Sequence, residues 1–173
     1  MTLSAASAPP VDNTLYADLL KQYVIDGQVD YDGFKAKENQ LDQYLDILSR
    51  TDSGALDPDD QYAFFINAYN AFTIKLILTR YPDIKSIKNI GGIFSSPWSI
   101  NFIELDGKKI SLDTIEHKIL RPRFKDARVH FAVNCASKGC PHLRDEPYEG
   151  ARVNEQLNDQ TRHFLNTAGN VVI

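Results

Sequence analysis

The ten residues Val133–His142, VNCASKGCPH, hold both cysteines of this 173-residue chain, and sixteen residues upstream of them stands the tripeptide Ile115-Glu116-His117. Two thiols, an imidazole and a carboxylate supply the materials for a base-activated thiolate nucleophile, for a disulfide, or for a metal site. Cys135 follows a strand-like run and precedes a turn that offers free backbone N–H groups, Lys138 and Gly139, surroundings that favour ionisation of a thiol. The plainer alternative is a small buried hydrophobe, the common fate of a lone cysteine. Cys140, just before Pro141, has the weaker claim as nucleophile. Cys135 and Cys140 could also close a short disulfide loop, which would silence the thiol and make a redox switch. The C-x4-C spacing matches neither the redox C-x2-C nor a zinc knuckle. Adding His130 and His142 would draw ligands from both faces of one strand, so no metal and no other cofactor is expected.

The elements that must position these residues follow from periodicity. Leu15, Leu19, Leu20 and Tyr23 recur at helical spacing within residues 14–26, and Val29-Asp30-Tyr31 reads as a short extended piece. Phe34 to Leu48 predicts a second amphipathic helix, with Leu41, Tyr44, Leu45 and Leu48 on one face. The polar turn TDSGALDPDD (51–60) opens a third, Gln61 to Arg80, which is apolar nearly all round and therefore central. Residues 86–100 form a loop that carries the only tryptophan, Trp98. Residues 102–110 predict a hairpin turning at Asp106-Gly107, a type I′ signal. A short helix over Leu112–Leu120 follows, with Asp113 and Glu116 spaced as a capping box. Alternation in Arg128–Val133 predicts a strand with Val129, Phe131 and Val133 on one face, and a last amphipathic helix spans 151–165. Together these predict an α+β fold: a helical N-terminal half packed on a small antiparallel sheet, in a single globular domain over residues 14–173 after a flexible lead-in of residues 1–13.

Asn67 and Asn70 fall on the apolar face of the central helix with Ala63, Ala71 and Ile74. Buried amides must find hydrogen bonds or cost roughly 1–3 kcal/mol each. They either tie loop backbone to the core or serve chemistry, orienting an imidazole or donating to an oxyanion. Glu116 lies in the buried stripe of its helix and His117 points away from it, so Glu116 is a cap or an orienter and His117 a base or an exposed histidine.

Composition narrows the classes. Hydrophobic residues make up 43% and charged residues 24%, as in globular domains, and a net charge of −4 argues against non-specific nucleic-acid binding. No apolar run approaches the length of a membrane span. The start, MTLSAASAPPVDN, shows no charged region followed by an apolar one, which fits a cytoplasmic chain or a periplasmic or secreted one already cleaved; two cysteines leave the compartment open.

The runs YAFFINAYNAFTIKLIL (62–78), ISLDTIEHKILR (110–121) and VHFAVNCASKGCP (129–141) together resemble the bacterial form of the family of unknown function numbered 547. The resemblance covers about Tyr16 to Leu165 and implies that Asn67, Tyr69, Asn70, Glu116, His117, Cys135 and Pro141 are its signature positions. Plant relatives keep the counterparts of His117 and Cys135 but carry serine in place of Cys140, which argues for Cys135 acting alone. Bacterial members run on past the last helix, whereas this chain stops at Asn170-Val171-Val172-Ile173, as a short or truncated member would.

The expectation is a papain- or transglutaminase-like thiol enzyme acting by acyl transfer on a peptide or small amide-containing substrate. Cys135 would be the nucleophile, His117 the general base and Glu116 or a central-helix asparagine the orienter, with Asn67, Asn70, Tyr69 and Ser137 around substrate or oxyanion. The alternatives are a non-catalytic binding module of similar fold and a redox-sensing dithiol.

Overall fold

A computed structural model describes residues 7–92, 95–137 and 139–167. Helix α4 (Pro58–Leu78) is its axis: every residue from Gln61 to Ile74 is buried. Proline at its first position and Asp59 and Asp60 in its first turn suit a helix start, where the free N–H groups favour a ring without a donor and negative charge. The chain wraps this helix on all sides because only a helix apolar all round needs such cover.

Helix α1 (Thr14–Tyr23) and helix α3 (Glu38–Arg50) pack their leucine stripes on each other, with the Tyr16 and Tyr44 rings stacked at 4.7 Å, and α3 also packs on α4. Between them lie a hairpin, β1 (Val24–Ile25) with β2 (Gln28–Val29), and helix α2 (Tyr31–Ala36). The single helix expected over residues 34–48 is thus two, parted at Lys37. Asp30 explains the early start, since its carboxylate caps α2 by accepting the Gly33 N–H. Residues 7–13, within the predicted lead-in, lie against this layer: Ala8 donates to the Ala55 carbonyl, and Ala8 and Val11 pack on the core.

The second hairpin forms where Asp106-Gly107 predicts it. Strands β3 (Ile103–Leu105) and β4 (Lys108–Ile110) pair antiparallel, Leu105 opposite Lys108, and both turn residues take positive φ, 50° and 69°. Two small antiparallel hairpins on a body about 59% helical make this an α+β fold.

Two local expectations are corrected. Residues 128–133 are not a strand: Val129–Ala132 is a single helical turn, α6, anchored on the last helix, α7 (Val153–Asn166), by the Phe131–Phe164 ring contact and by Arg128. Arg128 reaches Asn158 Oδ1 at 2.7 Å and Asn154 Oδ1 at 2.9 Å while Asp126 holds its guanidinium from behind. A five-residue alternation is too short to distinguish a strand from a turn of helix, and packing on α7 decides. The Asp113–Glu116 capping box does not form either. Ser111 caps this helix, its Oγ accepting the Thr114 N–H at 3.2 Å. Residues Thr114–Leu120 then widen into a π-helical turn, in which Arg121 N–H donates to the Glu116 carbonyl, before helix α5 (Arg121–Phe124) closes on the left-handed Lys125. Phe124 stacks on Tyr62 of α4 at 4.3 Å, which docks the whole segment.

Among the described residues, no helix is long and apolar enough to cross a membrane.

Candidate functional site

The cysteine loop is built by hydrogen bonds that begin on α4. Asn70, 3% exposed, donates from Nδ2 to the Ala132 carbonyl (3.0 Å) and accepts the Asn134 N–H at Oδ1 (2.8 Å). One amide thus catches both ends of the turn from α6 into the loop. Asn134 repeats the device one step outward: its Nδ2 donates to the Pro141 carbonyl (2.7 Å) and its Oδ1 accepts the Ala136 N–H (2.9 Å). That pinches the loop shut at its neck. Ala136 pays for the tight turn with a φ of 56°, and Gly139 takes the other left-handed position. Trp98 closes the outside, donating from Nε1 to the Cys135 carbonyl at 3.2 Å.

Within that frame Cys135 and Cys140 are joined in a disulfide, their Cα atoms 6.1 Å apart. Of the fates open to Cys135 in the sequence, the structure shows the disulfide, and no described cysteine is free. Both half-cystines are partly exposed. The Ser137 hydroxyl lies 3.0 Å from Cys135 Sγ and 3.5 Å from Cys140 Sγ, while the Cys140 N–H donates to the Ser137 carbonyl. Lys138, the cation expected to acidify the thiol, lies outside the described residues.

The Glu116–His117 pair is placed differently. Glu116 is partly buried and meets two groups, Arg121 at 3.2 Å and the Tyr69 hydroxyl. Burial and then the Glu116 charge push the Tyr69 phenol well above its ordinary range, so Tyr69 donates to the carboxylate. Arg121 also lies 3.1 Å from His130 Nδ1, within hydrogen-bond reach. His117 is half exposed and its ring approaches Asp113, one helical turn earlier, at 4.0 Å. Among the described residues, no hydrogen bond joins His117 to Cys135 or to Glu116. Tyr69 and Asn70, adjacent on α4, therefore tether the Glu116 segment and the cysteine loop to neighbouring points of one helix.

Asn67 does not enter this group. Its amide, 2% exposed, brackets the backbone of Tyr148, donating to the carbonyl and accepting the N–H, each at 2.8 Å. His142 and His163 face each other at 3.4 Å on the far side of the segment, where Gln160 Nε2 holds the His142 carbonyl. Three residues that position the loop, Asn134, Trp98 and Gln160, escape a reading by residue type, since each acts on a backbone carbonyl that no motif announces.

A family described as a protein of unknown function, DUF547, matches residues 54–165, from the turn before α4 through most of α7. No curated protein and no solved structure matches the chain.

Proposed function

Because this chain belongs to the DUF547 family of proteins of unknown function, its chemistry has to come from its own residues, and we propose that it is a redox-active dithiol protein working through the Cys135–Cys140 pair. The observation that carries this reading is the partly exposed disulfide in a pinched loop with one hydroxyl beside both sulfurs. An external thiolate, from a small thiol or a dithiol protein, attacks one sulfur and the S–S bond breaks. The released thiolate takes a proton, and a second thiol, on the same dithiol protein or on a second small-thiol molecule, resolves the mixed disulfide. The loop gains two electrons and two protons, and the donor leaves as a disulfide. Ser137 can donate a hydrogen bond to a thiolate at either position, which stabilises the leaving sulfur. Asn70, Asn134 and Trp98 hold the loop backbone, so the two sulfurs stay in reach of each other in the reduced state.

Equilibration with thiol buffers of defined potential tests this, read by the fluorescence of Trp98, which sits on Cys135 and is the only tryptophan. A two-electron midpoint between about −180 and −300 mV supports a redox role; a value well below about −300 mV marks a structural disulfide and overturns it.

A second reading starts from the reduced state: Cys135 as nucleophile in acyl transfer to a peptide or small amide, with His117 as base. The approach of Asp113 to the His117 ring favours it, since a carboxylate there can orient an imidazole. Glu116, engaged with Tyr69 and Arg121, is then a positioning residue and not the orienter. Alkylation of Cys135 by iodoacetamide against pH, in a Cys140→Ser background with and without His117→Ala, decides this reading. A thiolate populated near pH 6 and lost with His117 supports it. A rate that rises only near pH 8.5, indifferent to His117, removes it; a binding module is left where the midpoint test also fails.

A further inference from the structure

Two residues past Cys140 the chain carries His142, whose Nδ1 faces His163 Nε2 of α7 at 3.4 Å. That is long for a hydrogen bond, whose common N–H···O range is about 2.7–3.2 Å. It matches another arrangement. Two imidazole nitrogens, each about 2.0–2.1 Å from one tetrahedral zinc ion, stand about 3.3–3.4 Å apart. The ring centroids are 5.5 Å apart and the planes inclined at 50°, so the nitrogens meet and the ring faces do not.

Three segments hold this geometry. The turn of the β1–β2 hairpin presents Gly27, with a φ of 76°, to the His142 side chain. A Cβ at Gly27 would run into the His142 Cβ, Cγ and Nδ1, so a residue without a side chain is what keeps that nitrogen open. The Gly27 carbonyl accepts the Leu143 N–H at 3.3 Å, and Gln160 Nε2 donates to the His142 carbonyl at 2.6 Å. The His142 backbone is thus fixed from the hairpin and from α7, the helix that carries His163. Solvent reaches both rings, since His142 is half-buried and His163 exposed.

Charge favours a cation here. The two rings line a small cavity of about 180 Å³ together with Asp145, Asp159 and Arg144. Two carboxylates against one guanidinium leave its wall negative. Asp159 stands one helical turn before His163, but its Oδ2 is taken by Arg144 at 2.7 Å. Among the described residues, no group of three or more histidine, cysteine, aspartate or glutamate side chains is placed to hold an ion. The protein therefore offers two nitrogen ligands and leaves the other positions to water.

We infer that His142 and His163 form a two-imidazole binding site for a late first-row divalent cation, zinc or copper(II), the ions that suit imidazole ligands. The ion ties the segment leaving the cysteine loop to α7, and Asp145 and Asp159 add attraction from its edge. Neither sulfur takes part, so the inference stands apart from the redox reading.

Calorimetric titration of the untagged, oxidised chain with zinc chloride tests this, because the disulfide leaves no thiolate to compete. Saturable zinc binding is expected, with copper(II) binding more tightly and calcium, which takes oxygen ligands, failing to compete. His142→Ala and His163→Ala should each weaken zinc binding about tenfold or more, since loss of an outer partner alone costs about 10–100-fold. Both side chains reach the surface, so neither variant should fail to fold. His130→Ala should leave the affinity unchanged. Zinc should also slow amide hydrogen exchange at the C-terminal end of α7 in the parent and not in His142→Ala. Absence of zinc binding at millimolar concentration, calcium binding as tight as zinc, affinity unmoved by His142→Ala or His163→Ala, or an equal loss in His130→Ala would each overturn the assignment.

Discussion

Asn70 Oδ1 accepts the N–H of Asn134 at 2.8 Å, so the residue ahead of Cys135 hangs from the central helix and not from its own neighbours. Asn134 then spans the loop to the Pro141 carbonyl. The two amides act in series: the first fixes where the loop leaves the core, the second fixes how wide it opens. A disulfide closed by residues only five apart in sequence is thereby held at a set position relative to α4.

Asn70→Ala should therefore cost about 2–4 kcal/mol, for it strands the Ala132 carbonyl and the Asn134 N–H in the interior. Urea unfolding of the oxidised protein measures this. The same variant should exchange its disulfide with glutathione faster than the parent does. Asn67→Ala, whose partner is Tyr148, should lose comparable stability with no change in exchange rate. Equal acceleration in both variants would show that the loop responds to global loosening and not to its own tether.

Removing the crosslink separates loop order from core stability. The double variant Cys135→Ser, Cys140→Ser should lose about 2 kcal/mol, the chain-entropy value for so short a loop. Asn134 and Trp98 keep their backbone partners in it, so hydrogen exchange in α4 and α7 should follow the global loss while the 135–140 amides exchange much faster.

Acid should act through Asp126. Its carboxyl lies below the usual range chiefly because it bonds the Arg128 side chain. A depressed folded-state pKa contributes stability that is present above the unfolded value, near 4, and is lost as pH falls through the folded value. Stability should thus decline below about pH 4, and Asp126→Asn should flatten that part of the profile while lowering stability at neutral pH. The loss at neutral pH should be shared by Arg128→Met, because Asp126 aims Arg128 at Asn154 and Asn158 of α7. A profile unchanged by Asp126→Asn would assign the acid transition to other carboxylates.

The β3–β4 turn offers a test of local chemistry. Asp106 takes a φ of 50° and its carboxylate accepts both the N–H and the hydroxyl of buried Ser53, at 2.9 and 2.7 Å. Asp106→Ala should cost about 2–3 kcal/mol, combining left-handed strain with two lost bonds. Asp106→Asn should recover part of that, since asparagine tolerates the conformation and keeps an acceptor. Thermal melts of the pair resolve the difference.

The sequence patterns that proved legible are long or chemically explicit. α4 shows its centrality in a run that is apolar nearly all round, α1 and α3 show leucine stripes, α7 shows an amphipathic face, and Asp106-Gly107 names its own turn type. Short elements did not read through. Val-His-Phe-Ala-Val alternates like a strand, yet α7 and Asn70 hold it as one helical turn. Ser111, two residues before the apparent capping box, takes the cap because the helix begins earlier than the spacing suggests. Asn67 and Asn70 stood out as polar groups in an apolar stripe, but their partners lie 62 to 81 residues further on, a separation no local pattern encodes. The disulfide was one of the fates open to Cys135, and choosing it required the loop geometry.

That separation also bears on how the chain is made. As it leaves the ribosome, α4 emerges with a nearly continuous apolar surface and two amides whose partners have not yet been synthesised. Tyr148 follows Asn67 by 81 residues, roughly half the chain. At about 5–20 residues per second the nascent chain carries the part of that surface that α2 and α3 leave uncovered for several seconds. The interval is a window for aggregation and for trigger-type holding chaperones. It closes only when the last third of the polypeptide arrives to cover the helix.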